Sequence, residues 1–484
     1  MTGSSPHRKP LNAQGVPQET RAAASVPSHG GGQPIRRILV FAIVALALLM
    51  MSLDGTIVAT ALPALQRGLA TTVNWAGWTL TAYSFGFVLM LPLSGKLSLR
   101  YGRRRVFLGS VITFTAASLF CGLTDNIFVL IALRAVQAAG GAGFTPSATG
   151  IIVDHFGDAR DRAVSLFGSI FPIGAMIGPI FGGLSVTYWS WRGVFFVNLP
   201  IGAAILALAL RYIPRDSAQP KSAVHGMDMA GMVLLGIGLL AGMFATTSLG
   251  KQSAGYPVFA TSLLVASLAL WLFFRHISHA ANPFIPRLLI CGPNFGSVNL
   301  LNAIYGGVTI GAMALIPLYA ENRYGLGALD SGTLLVAQGI ATAVLSVVAA
   351  LTLRRTGHRL PLYVGSTLIA AGMLLFALSP AFGLAPYTWL AGSAFMVGIG
   401  SGMINPASRN AGLQLAPEQS SSLAALRSMS LQAGSIIAVS FATAILSASA
   451  HPGVVQGWMY AIAALFLTIM LPLIRKIPEH HGSW

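Results

Sequence analysis

Residues 51–63 read MSLDGTIVATALP and lie inside an apolar run that extends from about Ile38 to Leu62. The run is long enough to cross a bilayer as one helix, yet Asp54 stands in its middle. An acidic side chain at that depth costs roughly 2.5–3.5 kcal/mol on insertion scales, so it normally faces a partner or a water-filled cavity. The stretch predicts a proton-binding site. The alternative is a protonated carboxyl group that only packs helices together.

The composition is that of a polytopic membrane protein. Of the 484 residues, 55% are hydrophobic and only 8% are charged, whereas soluble domains carry about 25% charged residues. The net charge of +17 arises from Lys and Arg clustered between alternate apolar runs, for example at 96–105, 354–359 and 475–476. This asymmetry follows the positive-inside rule and predicts that both termini are cytoplasmic. The basic charge therefore reports topology, and we expect no nucleic-acid partner.

Apolar runs separated by short loops predict an all-α membrane protein with about fourteen transmembrane helices. The predicted spans are 38–62, 75–94, 106–123, 127–150, 163–186, 193–213, 227–249, 256–275, 295–320, 330–352, 361–380, 386–410, 421–447 and 457–476. The chain then divides into a disordered cytoplasmic tail at 1–37, a six-helix half at 38–213, two inserted helices with linkers at 214–294, a second six-helix half at 295–476, and a cytoplasmic tail at 477–484.

An internal repeat relates the two halves. The segment RYGR at 100–103 corresponds to RTGH at 355–358, and GGAGFTPSA at 140–148 corresponds to GSGMINPAS at 400–408. The offsets, 355 − 100 = 255 and 400 − 140 = 260, are nearly equal. Duplicated halves with a binding site at their interface are the architecture of many secondary transporters.

Arg134 lies in the fourth predicted span at about the depth of Asp54. Asp54 is 8 residues before the predicted end of its helix and Arg134 is 7 residues after the start of its own, so each lies roughly 10–12 Å from the same membrane surface. We expect these two residues to couple transport to protons. Gln137, one turn further on the same helix face, is expected to line the substrate cavity together with Asp54. The alternative for Arg134 is a side chain that snorkels to the membrane surface.

The fifth predicted span carries a glycine stripe. Gly174, Gly178 and Gly182 recur at every fourth position, beside Pro179 and Gly183. Small residues at this spacing let another helix approach closely, and a proline inside a helix bends it. The stripe is either a static packing seam or the gating seam at which the two halves close against each other.

The loop after the second predicted span reads GKLSLRYGRRR at 95–105. We assign it to the gating interface through Gly95, Arg100, Gly102, Arg103 and Arg104. Cytoplasmic topology by itself explains the charges, and the glycines at both ends favour a fixed turn.

Taken together, these motifs resemble the major facilitator superfamily, in particular its fourteen-helix drug:proton antiporter branch. LDGTIVATALP is similar to that branch's first-helix signature, LRAVQAAGGAG at 133–143 to the fourth-helix motif, and GAMIGPIFGG at 174–183 to the antiporter motif. The loop at 95–105 resembles the superfamily's loop motif, and WSWRGVFFVNLPIG at 189–202 the beginning of helix six in this branch. The resemblance covers about residues 38–476 and implies alternating access, proton antiport and export of amphiphilic compounds, with Arg134 linked to proton transfer.

Three positions depart from the family pattern. Leu99 stands where the loop motif usually has an acid, which removes a charge contact that helps to lock the outward-open state. Ala138 replaces a usual glycine. The eleventh helix of the common core usually carries an Arg-Gln pair, but this chain has Leu431-Gln432 with Arg427 one turn earlier. Arg427 either substitutes for the missing arginine or snorkels to the cytoplasmic surface.

These observations predict a proton-coupled exporter of drugs or of a natural toxic compound, in the plasma or inner membrane, with a role in antibiotic resistance. Of the 12 acidic residues only Asp54 lies well inside a span, and the repeat partner of Arg134 is Ala394, so the first half is expected to perform the proton chemistry. The substrates are expected to be neutral or monovalent cationic amphiphiles, because a dication would find one buried acid.

We expect a monomer in contact with membrane lipid, without enzymatic activity, metal or cofactor. The proton gradient would supply the energy, since no phosphate-binding loop of the Gly-x4-Gly-Lys-Ser/Thr type is present. Two alternatives stay open. One is a lipid or metabolite carrier of the same fold, and the other is a non-transporting membrane receptor or scaffold.

Overall fold

The computed structural model of the protein is a bundle of long helices, without a β-strand in the part of the chain that it describes. The structure describes residues 34–156, 167, 170–216, 228–248, 255–280, 283, 285–292, 294–415, 420–477 and 479. Four predicted segments lie partly outside these residues. They are positions 1–33 of the predicted tail 1–37, nearly all of 477–484, the beginning of the predicted span 163–186, and parts of the segment 214–294.

The helices follow the predicted spans closely. In the first half they are α1 Pro34–Gly68, α2 Val73–Tyr101, α3 Arg103–Leu123, α4 Ile127–Ala142, α5 Phe144–Phe156, α6 Ile170–Tyr188, α7 Gly193–Phe196 and α8 Asn198–Tyr212. The middle segment contributes α9 Met229–Ser248, α10 Gly255–His279 and α11 Arg287–Cys291. The second half contains α12 Phe295–Tyr305, a π-helical segment Gly306–Ala312, α13 Ile316–Tyr324, α14 Ala328–Thr356, α15 Arg359–Ala377, α16 Pro386–Leu413, α17 Ser420–Ser447, α18 Pro452–Met470 and a 3₁₀ segment Leu471–Lys476.

Most of these helices can cross a membrane. Within the described residues, eleven are long and apolar enough, and the bent pair Phe295–Ala312 and Ile316–Tyr324 makes twelve if it counts as one span. The two other predicted spans correspond to α6, a shorter apolar helix, and to α16, which has 28 residues. The all-α polytopic membrane fold is confirmed, whereas fourteen crossings remain a prediction.

Each half has its own apolar core. One cluster of buried side chains draws only on residues between Val40 and Ile213, and another only on residues between Leu301 and Ile477. Helices that bury one stripe in such a core leave another stripe outside. Accordingly, many large apolar side chains of both halves are exposed, as expected for surfaces that face lipid.

The sequence repeat at 100–103 and 355–358 corresponds to a repeated structural device. Gly102 and Gly357 separate consecutive helices with positive φ angles of 100° and 67°, a conformation that glycine adopts without strain. In each half, a carboxylate from the segment just after that half binds the first N–H groups of the helix that follows this glycine. Asp216 accepts from the N–H groups of Arg104 and Arg105 at 2.9 and 3.1 Å. In the second half, Glu479 accepts from the N–H of His358 at 2.7 Å.

The first span of the second half is broken. It bends by 44° between its two parts after the π-helical segment. Backbone groups at such a break need partners inside the protein, because lipid offers none. The carbonyl of Leu315 accepts from Gln456 at 2.9 Å, and that of Ala312 accepts from the Tyr460 hydroxyl at 3.3 Å. Helix α18 therefore stabilises the break.

Two glycines allow the broken span to lie directly against α17. A Cβ atom on Gly306 would overlap the carbonyl of Leu431, and one on Gly434 would overlap the carbonyl of Ala303. The backbones therefore touch without intervening side chains, the arrangement that small residues permit between membrane helices.

The two halves also meet at the end of the bundle where α1 ends, which we call the Arg67 end. Arg67 forms an ion pair with Glu321 of the second half. Nearby, a Cβ on Gly183 would lie 2.9 Å from the Cα of Leu329. A cavity of about 230 Å³ lies between the ion pair and the beginning of α14.

The contact between α17 and the broken span yields a testable prediction. Gly434→Ala should destabilise the protein by about 1–3 kcal/mol, because the added methyl group overpacks a site without free space. Thermal unfolding of the purified protein in detergent measures the effect. Gly392→Ala is the matched control, since a Cβ on this helical glycine would have nothing within 4 Å. Equal stability of the two variants would contradict the close contact.

Candidate functional site

Asp54 and Arg134 form an ion pair in the interior of the first half. The Arg134 guanidinium donates through Nη1 to Asp54 Oδ2 at 2.7 Å. Both residues are 0% exposed. The depth match found in the sequence thus corresponds to a direct contact, made from α1 and α4.

Two further side chains bind the other carboxylate oxygen. Gln137 donates through Nε2 to Asp54 Oδ1 at 2.9 Å, and Asn198 donates through Nδ2 to the same atom at 2.7 Å. The Ser118 hydroxyl accepts from both amides. Gln137 is as fully buried as the ion pair, so in this conformation it belongs to the ion-pair network and not to an open cavity wall.

Asn198 and Ser118 are the members of this network that the sequence did not single out. Asn198 is part of the motif at 189–202 and is the first residue of α8, directly after the short helix α7. A signal was present, because a buried asparagine at the start of an apolar span needs partners. Its partner is the predicted proton site, which only the packing of α8 on α1 reveals.

Arg134 is held on all sides and does not reach a membrane surface. Its Nε donates to the carbonyl of Thr79 at 3.3 Å, and its Nη1 donates to Gln137 Oε1 at 2.6 Å. The guanidinium lies over the ring of Tyr83, 4.2 Å from the centroid. Such a cation–π contact is worth about 2 kcal/mol or more when it is desolvated. The snorkelling alternative for Arg134 does not fit this geometry.

Local sequence fixes where Arg134 sits along its helix. The Asn126 side chain accepts from the N–H groups of Phe128 and Val129 at 2.8 and 3.3 Å, which is the usual way to begin a helix. Arg134 follows 7 residues after the first residue of α4, roughly 10 Å along the helix. The N-cap therefore sets the depth of the guanidinium.

Open space borders α1 next to the ion pair. Gly55 follows Asp54 directly and is exposed in the middle of a long helix. A Cβ at Gly55 would meet nothing within 4 Å. The carboxylate itself is closed off, so a proton or a substrate reaches it only after side chains or helices move.

The glycine stripe of α6 packs against α1, within the same half. A Cβ on Gly174 would lie 2.8 Å from Ser52 Cβ, and one on Gly178 would lie 2.8 Å from the Leu53 carbonyl oxygen. Gly182 similarly faces the carbonyl of Ile57, at 2.7 Å. Of the two alternatives drawn from the sequence, this contact fits a packing seam within one half, whereas a role of these three glycines in gating stays a prediction. Helical periodicity indicates a close approach without naming the partner helix.

The neighbouring positions of the same motif do face the second half. A Cβ on Gly332 of α14 would meet the carbonyl of Pro179, and one on Gly339 would lie 3.0 Å from Met176. Gly183 faces Leu329 as described above. The antiporter-like motif therefore packs on two sides: one side supports the helix that carries Asp54, and the other contacts α14.

The segment 95–105, predicted as a loop, is helical on both sides of Gly102, because α2 and α3 continue to this glycine, and its contacts lie mostly within the first half. Arg103 forms an ion pair with Asp154 and donates to the carbonyl of Gly150. Arg104 donates through its side chain to the carbonyl of Leu210 at 3.0 Å. The side chains of Arg100 and Leu99 are exposed, and a Cβ at Gly95 would have no neighbour within 4 Å.

The Asp54 carboxylate accepts hydrogen bonds at both oxygens. Oδ1 accepts one from each of two amides, and Oδ2 accepts one from a guanidinium. Removing one charge of a buried pair leaves the other uncompensated, which typically costs 3–5 kcal/mol. Among the described residues, no group of three His, Cys, Asp or Glu side chains is placed to hold a metal ion.

Comparison with known sequences gives proteins named for drug resistance. The chain is 29% identical over 408 residues to the multidrug resistance protein B homolog of Mycobacterium tuberculosis H37Rv, which covers 83% of this chain and 75% of the relative. It is also 29% identical over 454 residues to the methylenomycin A resistance protein of Streptomyces coelicolor, covering 93% and 92%.

Solved structures with the same fold are also transporters. The partially occluded inward-open xylose transporter XylE from E. coli superposes with a TM-score of 0.60 at 14% identity, covering 93% of this chain and 100% of that chain. A POT family transporter in complex with a thioalcohol-conjugated peptide gives a TM-score of 0.65, also at 14% identity, covering 90% and 96%.

The family model "Major Facilitator Superfamily" matches residues 44–439. This range includes the helices that carry Asp54, Arg134, Gln137 and Asn198, and most of the second half. The chain is a member of the major facilitator superfamily.

Proposed function

We propose that the protein is a proton-coupled exporter of small amphiphilic drugs, of the fourteen-helix drug:proton antiporter branch. The observation that carries the proposal is the fully buried Asp54–Arg134 ion pair with its two amide donors. Ionisable residues inside a membrane bundle are costly and typically mark proton relays or substrate pathways. The relatives named as drug-resistance proteins support the export of drugs.

Proton binding would switch this site between two states. With Asp54 ionised, the pair is locally neutral and holds α1 and α4 together. A proton on Asp54 removes the charge that Arg134 faces, so the guanidinium must find another partner, and the helices rearrange. One proton that returns across 100 mV releases about 2.3 kcal/mol, which can sustain roughly a fifty-fold gradient of a neutral substrate in one-for-one exchange.

Alternating access would arise from movement of the halves 38–213 and 295–476 about this site, with 214–294 inserted between them. Under the positive-inside assignment, both termini are cytoplasmic and the Arg67 end faces outward. The Arg67–Glu321 ion pair then closes the outer side. In this conformation a substrate would approach from the cytoplasm.

The substrate class follows from the charge of the site. Because the ion pair is neutral as a whole, neutral amphiphiles fit it best, and a monovalent cation competes with the proton when Arg134 moves away from Asp54. We propose that the protein works as a monomer in the cell membrane, in contact with lipid. It would need no cofactor beyond the proton gradient.

Asp54→Asn tests the proton site. The variant should lose the pH-driven efflux of a fluorescent amphiphilic dye from inverted vesicles, because the amide cannot exchange a proton. Asp125→Asn is the matched control, since Asp125 pairs with Arg192 at a surface where its side chain is 87% exposed. Intact pH-driven efflux by Asp54→Asn would remove Asp54 from the mechanism.

A second variant separates coupling from folding. Asp54→Asn leaves the Arg134 charge unpaired and should lower stability by about 3–5 kcal/mol. Asp54→Asn combined with Arg134→Gln removes both charges and should recover part of that stability without recovering pH-driven transport. Thermal unfolding and efflux, measured on the same preparations, distinguish the two effects.

Variants of the Arg67–Glu321 pair test whether it holds the two halves together at the Arg67 end. An exposed pair contributes at most about 1 kcal/mol, so Glu321→Gln should shift the equilibrium between the two conformations by up to about fivefold. Spin labels on exposed Leu123 and Phe382 report the distance between the halves near the Arg67 end. The exchange Arg67→Glu with Glu321→Arg should restore the short distance. An unchanged distance distribution in Glu321→Gln would rule out this pair as a latch.

The open space beside Gly55 gives a fourth test. Gly55→Phe should reduce the efflux of bulky dyes several-fold, because the ring would fill space next to Asp54. Gly109→Phe is the control: this glycine on α3 is also exposed, and a Cβ there would have no neighbour within 4 Å. Equal dye transport by the two variants would show that the space at Gly55 is not part of the substrate path.

A further inference from the structure

We propose that the second half contains an oxyanion site, built around Arg427 and Arg409, that binds the carboxylate or phosphate group of an amphiphile. The claim that such compounds are transported rests on the proposed export function. The claim that they bind here rests only on the geometry of the site. It would extend the substrate class to compounds that carry an acidic group, including zwitterions that are neutral overall.

Arg427 is turned into the protein and does not snorkel freely to the surface. Its Nη2 donates to the Asn405 side-chain oxygen, and it lies 3.3 Å from the Ser408 hydroxyl. Both acceptors belong to α16. Its Nε is buried and has no hydrogen-bond partner. A guanidinium with a buried free donor is a costly arrangement unless something else binds there.

Neither Arg409 nor Arg427 contacts a carboxylate within the described part of the chain. Other arginines of this protein do so: Arg67 pairs with Glu321, Arg103 with Asp154, and Arg134 with Asp54. Arg427 lies 7 residues after the start of α17, roughly 10 Å along the helix. It is only partly exposed, so an uncompensated charge there is costly. An anion shared by both guanidinium groups would compensate two charges at once.

A small cavity joins the two arginines. Arg409, Arg427 and Asn302 all line it, and its volume is about 20 Å³, enough for one water-sized group. The cavity can therefore receive an oxygen of an acidic group, while the rest of the ligand stays outside. Asn405 and Arg409 are exposed one turn apart on α16, so the site is reachable from outside the packed helices.

Asn302 supplies an independent sign of a missing ligand. Its side chain is 1% exposed, its oxygen has no partner, and it makes no hydrogen bond in the described residues. Buried amides are almost always hydrogen-bonded. The unpartnered atom is Oδ1, an acceptor, so an oxyanion would bind after the amide turns over to present its NH₂ group.

Equilibrium binding to the purified full-length protein in a neutral detergent tests the site. The probes are dansylglycine, which carries a carboxylate, and its methyl ester, which does not; dansyl fluorescence reports binding. Arg427→Gln combined with Arg409→Gln should weaken dansylglycine binding by roughly tenfold or more, because charge-assisted hydrogen bonds are lost. Binding of the ester should change less than about twofold, since it presents no anionic oxygen.

Control variants separate charge from folding. Arg427→Lys keeps the positive charge and should retain part of the dansylglycine affinity, whereas Arg275→Gln removes an exposed arginine elsewhere and should have no effect. Asp125→Asn, at an exposed ion pair, should also leave dansylglycine binding unchanged. Binding is measured at equilibrium without a pH gradient, so that failure of the proton mechanism and failure of this site give different results. If the double variant binds dansylglycine as tightly as the parent, and retains lipid as the parent does, the proposal is overturned.

The acidic group can come from a transported compound or from a lipid. Native mass spectrometry of protein from membranes containing phosphatidylglycerol and phosphatidylcholine distinguishes these sources. Selective loss of phosphatidylglycerol in the double variant, with dansylglycine binding unchanged, would identify the ligand as a lipid phosphate. Loss of dansylglycine binding alone would identify it as the acidic group of a soluble amphiphile. Either result supports the oxyanion site.

Discussion

The structure depends on one charge pair in a region where charges are expensive. Neither Asp54 nor Arg134 has access to water, and each compensates the other. Because a lone charge of either sign would be unstable there, α1 and α4 must keep their relative depth, and α8 must bring Asn198 to the remaining carboxylate oxygen. Close packing of α6 on α1 through Gly178 helps to fix that position. A proton on the carboxylate acts on all of these contacts together.

Contacts between residues of known depth could be predicted from the sequence. The rise per residue of a helix is fixed, so counting from the span ends placed Asp54 beside Arg134, and Gln137 followed from helical periodicity. Asn198 could not be placed in this way, because the break between α7 and α8 changes the count at the start of its span. The stripe from Gly174 to Gly182 indicated a close approach, yet the spacing of small residues carries no information about which helix approaches.

The apolar runs predict the positions of the long helices, whereas they do not predict the shape of the first span of the second half. The π-helical segment and the 44° bend in the first span of the second half depend on partners distant in the chain. Gln456 and Tyr460 donate to the carbonyls of Leu315 and Ala312 at the break, in addition to backbone N–H groups. Gly434 lets α17 lie against the broken span. Local sequence showed glycines at 306 and 307, but it did not show which side chains would satisfy the opened backbone.

The two halves share a repeat and yet treat a buried arginine differently. In the first half, Arg134 pairs with a carboxylate, and Ala394 stands at the corresponding place in the second half. The second half has a different arginine, Arg427, which contacts only neutral oxygens. An arginine paired with an acidic side chain responds to protons, since protonation of the acid removes the negative charge that the arginine faces. An arginine with neutral partners responds instead to an external anion. Duplication followed by this divergence would place proton coupling in one half and recognition of an acidic group in the other.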